Sequence, residues 1–175
     1  WSNTPDFRPL SRSSCHSCIP VVLCSAPKTV MDPFTAHRPA ARGSRSCSIA
    51  LDLGTTNLVA LLFDNSAKQE LLTRSIENPQ IAFGSDILTR MHHAMSGNAD
   101  AVSRVLRDGV NELIGSLCRE AGIARSEISA LAAAGNTAMT HFFLGLDIST
   151  IPVAPWTPAV RKPGFRPAAS LGLDI

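Results

Sequence analysis

The segment of this sequence best suited to chemistry is Asp52-Leu-Gly-Thr-Thr56, which closes a short apolar run at Ser48–Leu53. Gly54 has no Cβ, so the backbone there can approach an anion closely. The N–H groups of the turn can then point at phosphate oxygens, and the two threonine hydroxyls add further donors. Asp52 alone would repel phosphate, but it suits a hydrated Mg²⁺, which prefers carboxylate and water oxygens. The segment therefore predicts a turn that binds phosphate together with magnesium.

A second glycine-containing segment, Gly135-Asn-Thr137, follows another apolar run. Its Asn136 and Thr137 either contact phosphate or cap a helix that begins at Thr137. For the first segment, a hairpin turn without any ligand is the alternative, since glycine is common in turns. The candidate phosphate-binding residues are the two glycines and their polar neighbours: Gly54, Thr55, Thr56, Gly135, Asn136 and Thr137.

The elements that must position these residues follow from the apolar periodicity. Val102, Val105 and Leu106 begin a series with three- and four-residue steps, which predicts an amphipathic helix from about Asp100 to Ala121. Short apolar runs predict strands at Ser48–Leu53, Asn57–Phe63, Gln69–Ile76, Ser126–Ala134 and near Ala168–Leu173. Two further helices are predicted at Gly84–Met95 and Thr137–Leu144. Strands and helices in this order predict an α/β domain.

The composition argues against two classes of partner. The chain has 175 residues, of which 45% are hydrophobic and 17% charged, as is typical of a globular domain. Aromatic residues make up 5% and tyrosine is absent, which disfavours a surface that stacks nucleic-acid bases. No apolar run approaches the roughly 20 residues that span a bilayer. The sequence therefore predicts neither a nucleic-acid partner nor a membrane partner.

The two ends of the chain differ from its middle in amino-acid composition. Residues 1–46 hold half of the 12 prolines, clusters of serine and arginine, and no sustained apolar period, which predicts a disordered lead-in. Residues 151–175 are again rich in proline and predict an extended connection. The folded part is predicted at 47–150.

The five cysteines are distributed unevenly. Cys15, Cys18 and Cys24 crowd into the lead-in, where a disulfide or a metal site stays open. A structural zinc site needs four ligands, and no second cysteine pair follows. The odd count and the isolated Cys118 fit a reduced, cytoplasmic chain.

Four other polar residues have side chains that can take part in chemistry. His92 and His93 have no acidic or cysteine partner at ligand spacing, so a surface or helix-end position is predicted for them. Asp86 is predicted to cap its helix. For His141, core packing, capping and function all stay open.

The stretch Ser48-Ile-Ala-Leu-Asp-Leu-Gly-Thr-Thr-Asn57 resembles the first phosphate motif of the actin-like ATPase superfamily of sugar kinases, acetate kinases, actin and large heat-shock chaperones. Three further segments resemble one branch, the reductive activators of corrinoid (iron–sulfur) proteins. They are Asn78-Pro-Gln-Ile-Ala-Phe-Gly-Ser-Asp-Ile-Leu-Thr-Arg90, Ala134-Gly-Asn-Thr-Ala-Met-Thr-His141 with Leu144-Gly-Leu146, and Val153-Ala-Pro-Trp-Thr-Pro158. The resemblance covers about Ser48 to Ile175.

This resemblance implies an actin-like (ribonuclease H-like) fold with a mixed sheet and flanking helices. Residues 47–150 would form its first lobe, and residues 151–175 would lead toward a second lobe outside this sequence. The implied activity is ATP-driven reduction of a cobalt(II) corrinoid to cobalt(I), with ATP and Mg²⁺ as cofactors and a corrinoid protein as partner. Asp52 would be the catalytic residue and would hold Mg²⁺ through water.

Two departures from the family keep alternatives open. The family's iron–sulfur domain is of ferredoxin type, but Cys15, Cys18 and Cys24 lack the plant-type C-x4-C-x2-C spacing, so no such cluster is expected in this chain. The second lobe is also missing, so the chain is expected to be a fragment. The alternatives are one lobe of an actin-like small-molecule kinase, or an inactive fragment. Whether the protein forms a homodimer is left open.

Overall fold

The computed structural model describes residues 45–161 and 163–175, together with the backbone of residues 21–24. Its strands are β1 (Val21–Cys24), β2 (Cys47–Leu53), β3 (Asn57–Asp64), β4 (Gln69–Glu77), β5 (Ile128–Gly135) and β6 (Phe165–Pro167). They form one sheet in the order β4-β3-β2-β5-β1-β6. The β2–β3 and β3–β4 pairs are antiparallel, whereas β2 and β5 are parallel. The predicted α/β class with a mixed sheet is confirmed.

Three α-helices accompany the sheet, namely α1 (Ile87–His93), α2 (Ala99–Ala121) and α3 (Thr137–Leu144). Short 3₁₀ helices span Pro79–Phe83, Arg125–Glu127 and Ala168–Leu171, and a π-helical turn at Ala94–Asn98 joins α1 to α2. Among the described residues, no helix has the length and apolarity needed to cross a bilayer.

Alternation along β2 determines which side chains reach the solvent. Ile49, Leu51 and Leu53 are buried in the core, whereas Ala50 and Asp52 on the opposite face are exposed. This is the period of two expected for a strand that is covered on one face. Asp52 is therefore accessible at the carboxyl end of an otherwise well-buried strand.

Helix α2 covers the buried face of the sheet and packs against β3, β4 and α3. Its core-facing positions recur at three- and four-residue steps, as predicted from the sequence. They are Val102, Leu106, Val110, Leu113 and Leu117, all at most 1% exposed. Gly122 ends the helix in the left-handed conformation, with φ of 65°.

The helix predicted over Gly84–Met95 begins later than expected, at Ile87. Asp86 caps it by accepting a hydrogen bond from the Thr89 amide at 2.9 Å, which confirms the predicted capping role. That amide also lowers the pKa of the Asp86 carboxyl. After α1 the helical path is interrupted at Gly97, whose φ is 98°.

The strand predicted near Ala168–Leu173 is wrong in position. The strand is Phe165–Pro167, and Ala168–Leu171 forms a 3₁₀ helix instead. Ala168 and Leu171 are both buried and lie three residues apart, which is the period of a 3₁₀ helix rather than of a strand.

Strand β1 lies inside the predicted lead-in and was not anticipated, because a four-residue apolar run carries little periodicity. It pairs antiparallel with β5 and parallel with β6. The rest of that lead-in, apart from residues 45 and 46, lies outside the described residues. Cys15 and Cys18 lie outside them too, so the predictions for the clustered cysteines stay predictions.

Candidate functional site

The turn that joins β2 to β3 carries the first candidate motif. Asp52 is the penultimate residue of β2 and pairs with Val59 on one side and with Ala134 on the other. Its carboxylate is exposed and makes no hydrogen bond or ion pair with any described residue. It is therefore available to a ligand from the solvent side.

Every carbonyl group of the turn, from Gly54 to Thr56, accepts a hydrogen bond from the protein. The Asn78 side-chain amide donates to the Gly54 carbonyl at 2.9 Å, and the Asn78 backbone amide donates to the Thr56 carbonyl at 2.8 Å. Between them, Nη1 of Arg90 donates to the Thr55 carbonyl at 2.7 Å. Asn78 is completely buried, and Arg90 is 1% exposed.

Because the carbonyls of the turn point toward Asn78 and Arg90, the amides of the turn point the other way. In a trans peptide, the N–H of one residue points away from the carbonyl of the residue before it. The Thr55 and Thr56 amides therefore point away from Asn78 and Arg90, and neither has an acceptor among the described residues. Successive outward amides are the arrangement that binds anions.

Gly54 is required by the geometry of its own turn. A Cβ placed on Gly54 would lie 2.3 Å from the carbonyl oxygen of Asn57, which real side chains do not tolerate. From the sequence, either the approach of an anion or a simple hairpin turn accounts for this glycine. The structure adds a steric reason that operates without any ligand.

The second candidate segment lies beside the first, because β5 runs parallel to β2 and Gly135 pairs with Leu53. A Cβ on Gly135 would come within 2.8 Å of the Leu53 Cβ, so glycine is also needed for this close packing. Asn136 caps α3 by accepting from the Met139 amide at 2.9 Å, and its Nδ2 donates to Oγ1 of Thr55 at 3.3 Å. The two segments predicted from the sequence therefore meet, and the capping role of Asn136 is confirmed.

Comparison with known proteins identifies the chain. The family described as "RACo middle region" matches residues 47–175. The chain belongs to this family. Its relatives include the "Corrinoid activation enzyme RamQ" of Eubacterium limosum, which is 33% identical over 110 residues, covering 62% of this chain and 18% of that enzyme. A solved structure, "Reductive activator for corrinoid,iron-sulfur protein", matches with a TM-score of 0.69 and 33% identity over 77% of this chain and 22% of its own.

The chain is short compared with the relatives that it matches. The chain spans about a fifth of the length of each relative, at 18% and 22%. The suspected relationship to the reductive activators of corrinoid proteins is confirmed. The activity and the partners of the whole relatives are proposals for this chain.

The sequence did not predict a role for Asn78 or for Arg90, although the two residues begin and end one of the segments that carry the family resemblance. Asn78 begins the 3₁₀ helix Pro79–Phe83 by accepting from the Gln80 amide at 3.0 Å. The Asn-Pro pair is a recognisable helix start, so this part could have been found. Nothing local in the sequence indicates that Arg90 is buried.

His141 is part of the core rather than of the exposed turn. It is completely buried, and its Nδ1 lies 2.7 Å from the Thr137 carbonyl, to which it donates. Its Nε2 accepts from the Val160 amide at 3.3 Å. His141 therefore joins α3 to the proline-rich connection.

Replacing His141 with leucine is expected to lower the free energy of unfolding by about 1–3 kcal/mol, because the Thr137 carbonyl and the Val160 amide lose their partner. Urea denaturation would measure the change. His92→Leu, at an exposed position, is the matched control. Equal effects of the two substitutions would contradict the structural role.

No cluster of three or more His, Cys, Asp or Glu side chains within residues 45–161 and 163–175 could hold a metal ion. His92 is exposed, and the His93 ring contacts that of Phe83 with the centroids 5.1 Å apart. A magnesium ion held through water by the single carboxylate of Asp52 is a different kind of site, and it stays a prediction.

Proposed function

We propose that this region is the ATP-binding and ATP-hydrolysing part of a reductive activator of corrinoid proteins. The whole protein would use ATP to reduce a cobalt(II) corrinoid to cobalt(I), with the corrinoid protein as its partner. The proposal is supported by the printed names of the relatives and by the resemblance of the turn to the actin-like phosphate motif. The observation that carries it is the turn itself, whose carbonyls face inward and whose Thr55 and Thr56 amides face outward.

In this proposal each residue of the turn has a separate task. The Thr55 and Thr56 amides bind phosphate oxygens, as backbone amides do in other phosphate sites. The N-terminus of α3, capped by Asn136, adds the partial positive charge of a helix start beside them. Asp52 holds Mg²⁺ through water, which neutralises part of the phosphate charge when bound.

The residues of the turn fit a phosphate group together with a hydrated magnesium ion. An exposed carboxylate without a protein partner can face hydrated magnesium, whereas one already paired in the fold could not do so without a cost. No acidic side chain other than Asp52 lies in the two candidate segments, so phosphate meets little repulsion there.

The proposal predicts that Mg²⁺-ATP binds to the complete protein that carries this region and binds much more weakly to this 175-residue chain alone. Actin-like ATPases hold nucleotide between two lobes, so one lobe offers only part of the contacts. A loss of several kcal/mol lowers affinity about a thousandfold, since each ~1.4 kcal/mol is tenfold.

Isothermal titration calorimetry on both forms tests this. Absence of ATP binding by the complete protein would refute the proposed function. Micromolar binding by this 175-residue chain alone would show that one lobe already forms the complete site.

A further inference from the structure

Arg90 is a buried charge that forms no ion pair with any described residue. The residue is 1% exposed, and its guanidinium donates to two backbone carbonyls, from Nε to Gly84 at 2.8 Å and from Nη1 to Thr55 at 2.7 Å. Within the described residues, no carboxylate forms an ion pair with it. The charged residue that influences it most is Asp86, whose oxygens already accept from Thr89.

Burying such a charge is costly unless something compensates for it. Burial lowers the pKa of Arg90, with Asp86 acting in the opposite direction, and an arginine nevertheless stays protonated at neutral pH. A neutral donor would be sufficient to bind the Thr55 carbonyl, just as the neutral Asn78 amide binds the Gly54 carbonyl. The hydrogen bond by itself therefore does not explain why a cation lies behind this turn.

We propose that Arg90 is a positioning residue of the nucleotide site, which fixes the Thr55 carbonyl inward and places a positive charge without an ion-pair partner among the described residues behind the phosphate-facing amides. The phosphates of the bound nucleotide are the anion that balances this charge. The inference rests on the proposed function for its ligand. It goes further because Arg90 lies outside both glycine segments and would nevertheless determine how tightly the phosphates of the nucleotide are bound.

Two consequences separate this role from simple support of the fold. The affinity for ATP should depend on the charge of residue 90, whereas the affinity for adenosine, which has no phosphate, should not. Only Asn78 and Arg90 donate hydrogen bonds to the carbonyls of this turn among the described residues. Without Arg90, the hydrogen bond from the Asn78 amide to the Thr56 carbonyl should therefore open more often.

The experiment compares Arg90→Gln, which keeps a donor but removes the charge, with Arg90→Lys, which keeps the charge. Arg74→Gln and Arg74→Lys are the matched controls, since Arg74 lies on β4 and forms a half-exposed ion pair with Glu120. Dissociation constants for ATP, ADP and adenosine are measured on the complete protein. Hydrogen exchange of the Asn78 amide is measured on this chain, with the Asn65 amide, which donates to Ser46, as reference.

We expect Arg90→Gln to weaken ATP binding by about tenfold to a hundredfold, because the phosphates lose the attraction of one positive charge acting through the protein interior. Adenosine binding should change by less than about twofold, and Arg90→Lys should restore most of the ATP affinity. Asn78 exchange should rise in Arg90→Gln relative to Asn65. The Arg74 variants should match the wild type in every measurement.

Equal losses for ATP and adenosine, or unchanged ATP binding in Arg90→Gln, would overturn the inference. If Arg90→Gln fails to fold, Arg90→Lys decides the question, because a loss of ATP affinity beyond tenfold despite the retained charge would also overturn it. A wild-type protein that does not bind ATP would instead refute the proposed function, and with it the role of Arg90 toward nucleotide. In that case Asn78 exchange would still decide whether Arg90 holds the turn.

Discussion

Replacing Asp52 with asparagine is expected to lower the ATP turnover of the complete protein by about a hundredfold to a thousandfold, the usual cost of removing one preorganised catalytic group. The amide keeps the size of the carboxylate but cannot hold hydrated Mg²⁺ by charge. Thermal unfolding should stay close to that of the wild type, because Asp52 is exposed and has no partner among the described residues. ATPase rate and melting temperature, measured on the same preparation, check both statements.

Asp108→Asn is the control for this substitution, since Asp108 is an exposed carboxylate on α2 outside the turn. It should leave turnover unchanged. Turnover at the wild-type level in Asp52→Asn would mean that the turn is only a hairpin, and the catalytic interpretation of Asp52 would have to be abandoned.

Replacing Gly54 with alanine is expected to change both stability and nucleotide affinity. The new Cβ would lie 2.3 Å from the Asn57 carbonyl oxygen, so the turn has to rearrange. Forced rearrangements of this kind cost about 1–3 kcal/mol of unfolding free energy. Because the same turn aims the Thr55 and Thr56 amides, the affinity for ATP should fall as well.

Gly115→Ala provides the comparison for Gly54→Ala. Its added Cβ would also meet an atom closely, Nη2 of Arg125 at 2.6 Å, but that atom ends a long side chain and its displacement costs only its hydrogen bond to the Asn111 carbonyl. We expect a smaller loss of stability there and no change in ATP affinity. Chemical denaturation and calorimetry on the two variants separate the effects, and an unaltered ATP affinity in Gly54→Ala would argue against a phosphate site in this turn.

The spacing of apolar residues was sufficient to predict a helix or a strand wherever one period dominates the segment. The apolar series that begins at Val102 predicted the start of α2 to within one residue. In the structure, Gly122 ends this helix in the left-handed conformation. The strands β2 to β5 were found as apolar runs with errors of one or two residues at their ends. Pattern failed at Ala168–Leu171, where a short apolar run fits a strand and a 3₁₀ helix equally well and burial decides between them.

The sequence by itself determined the α/β class, the glycine-containing turn after β2, the helix that begins at Thr137 and the resemblance that the family comparison confirmed. Each of these depends on residues close together in the chain. The tertiary structure alone decided which way the turn faces. The donors that hold its carbonyls and the Thr55 hydroxyl come from Asn78, Arg90 and Asn136, which lie 24, 35 and 81 residues away in the chain. No local pattern encodes such partners, because a hydrogen bond at that separation forms only after the sheet and helices have packed and have brought the two ends together.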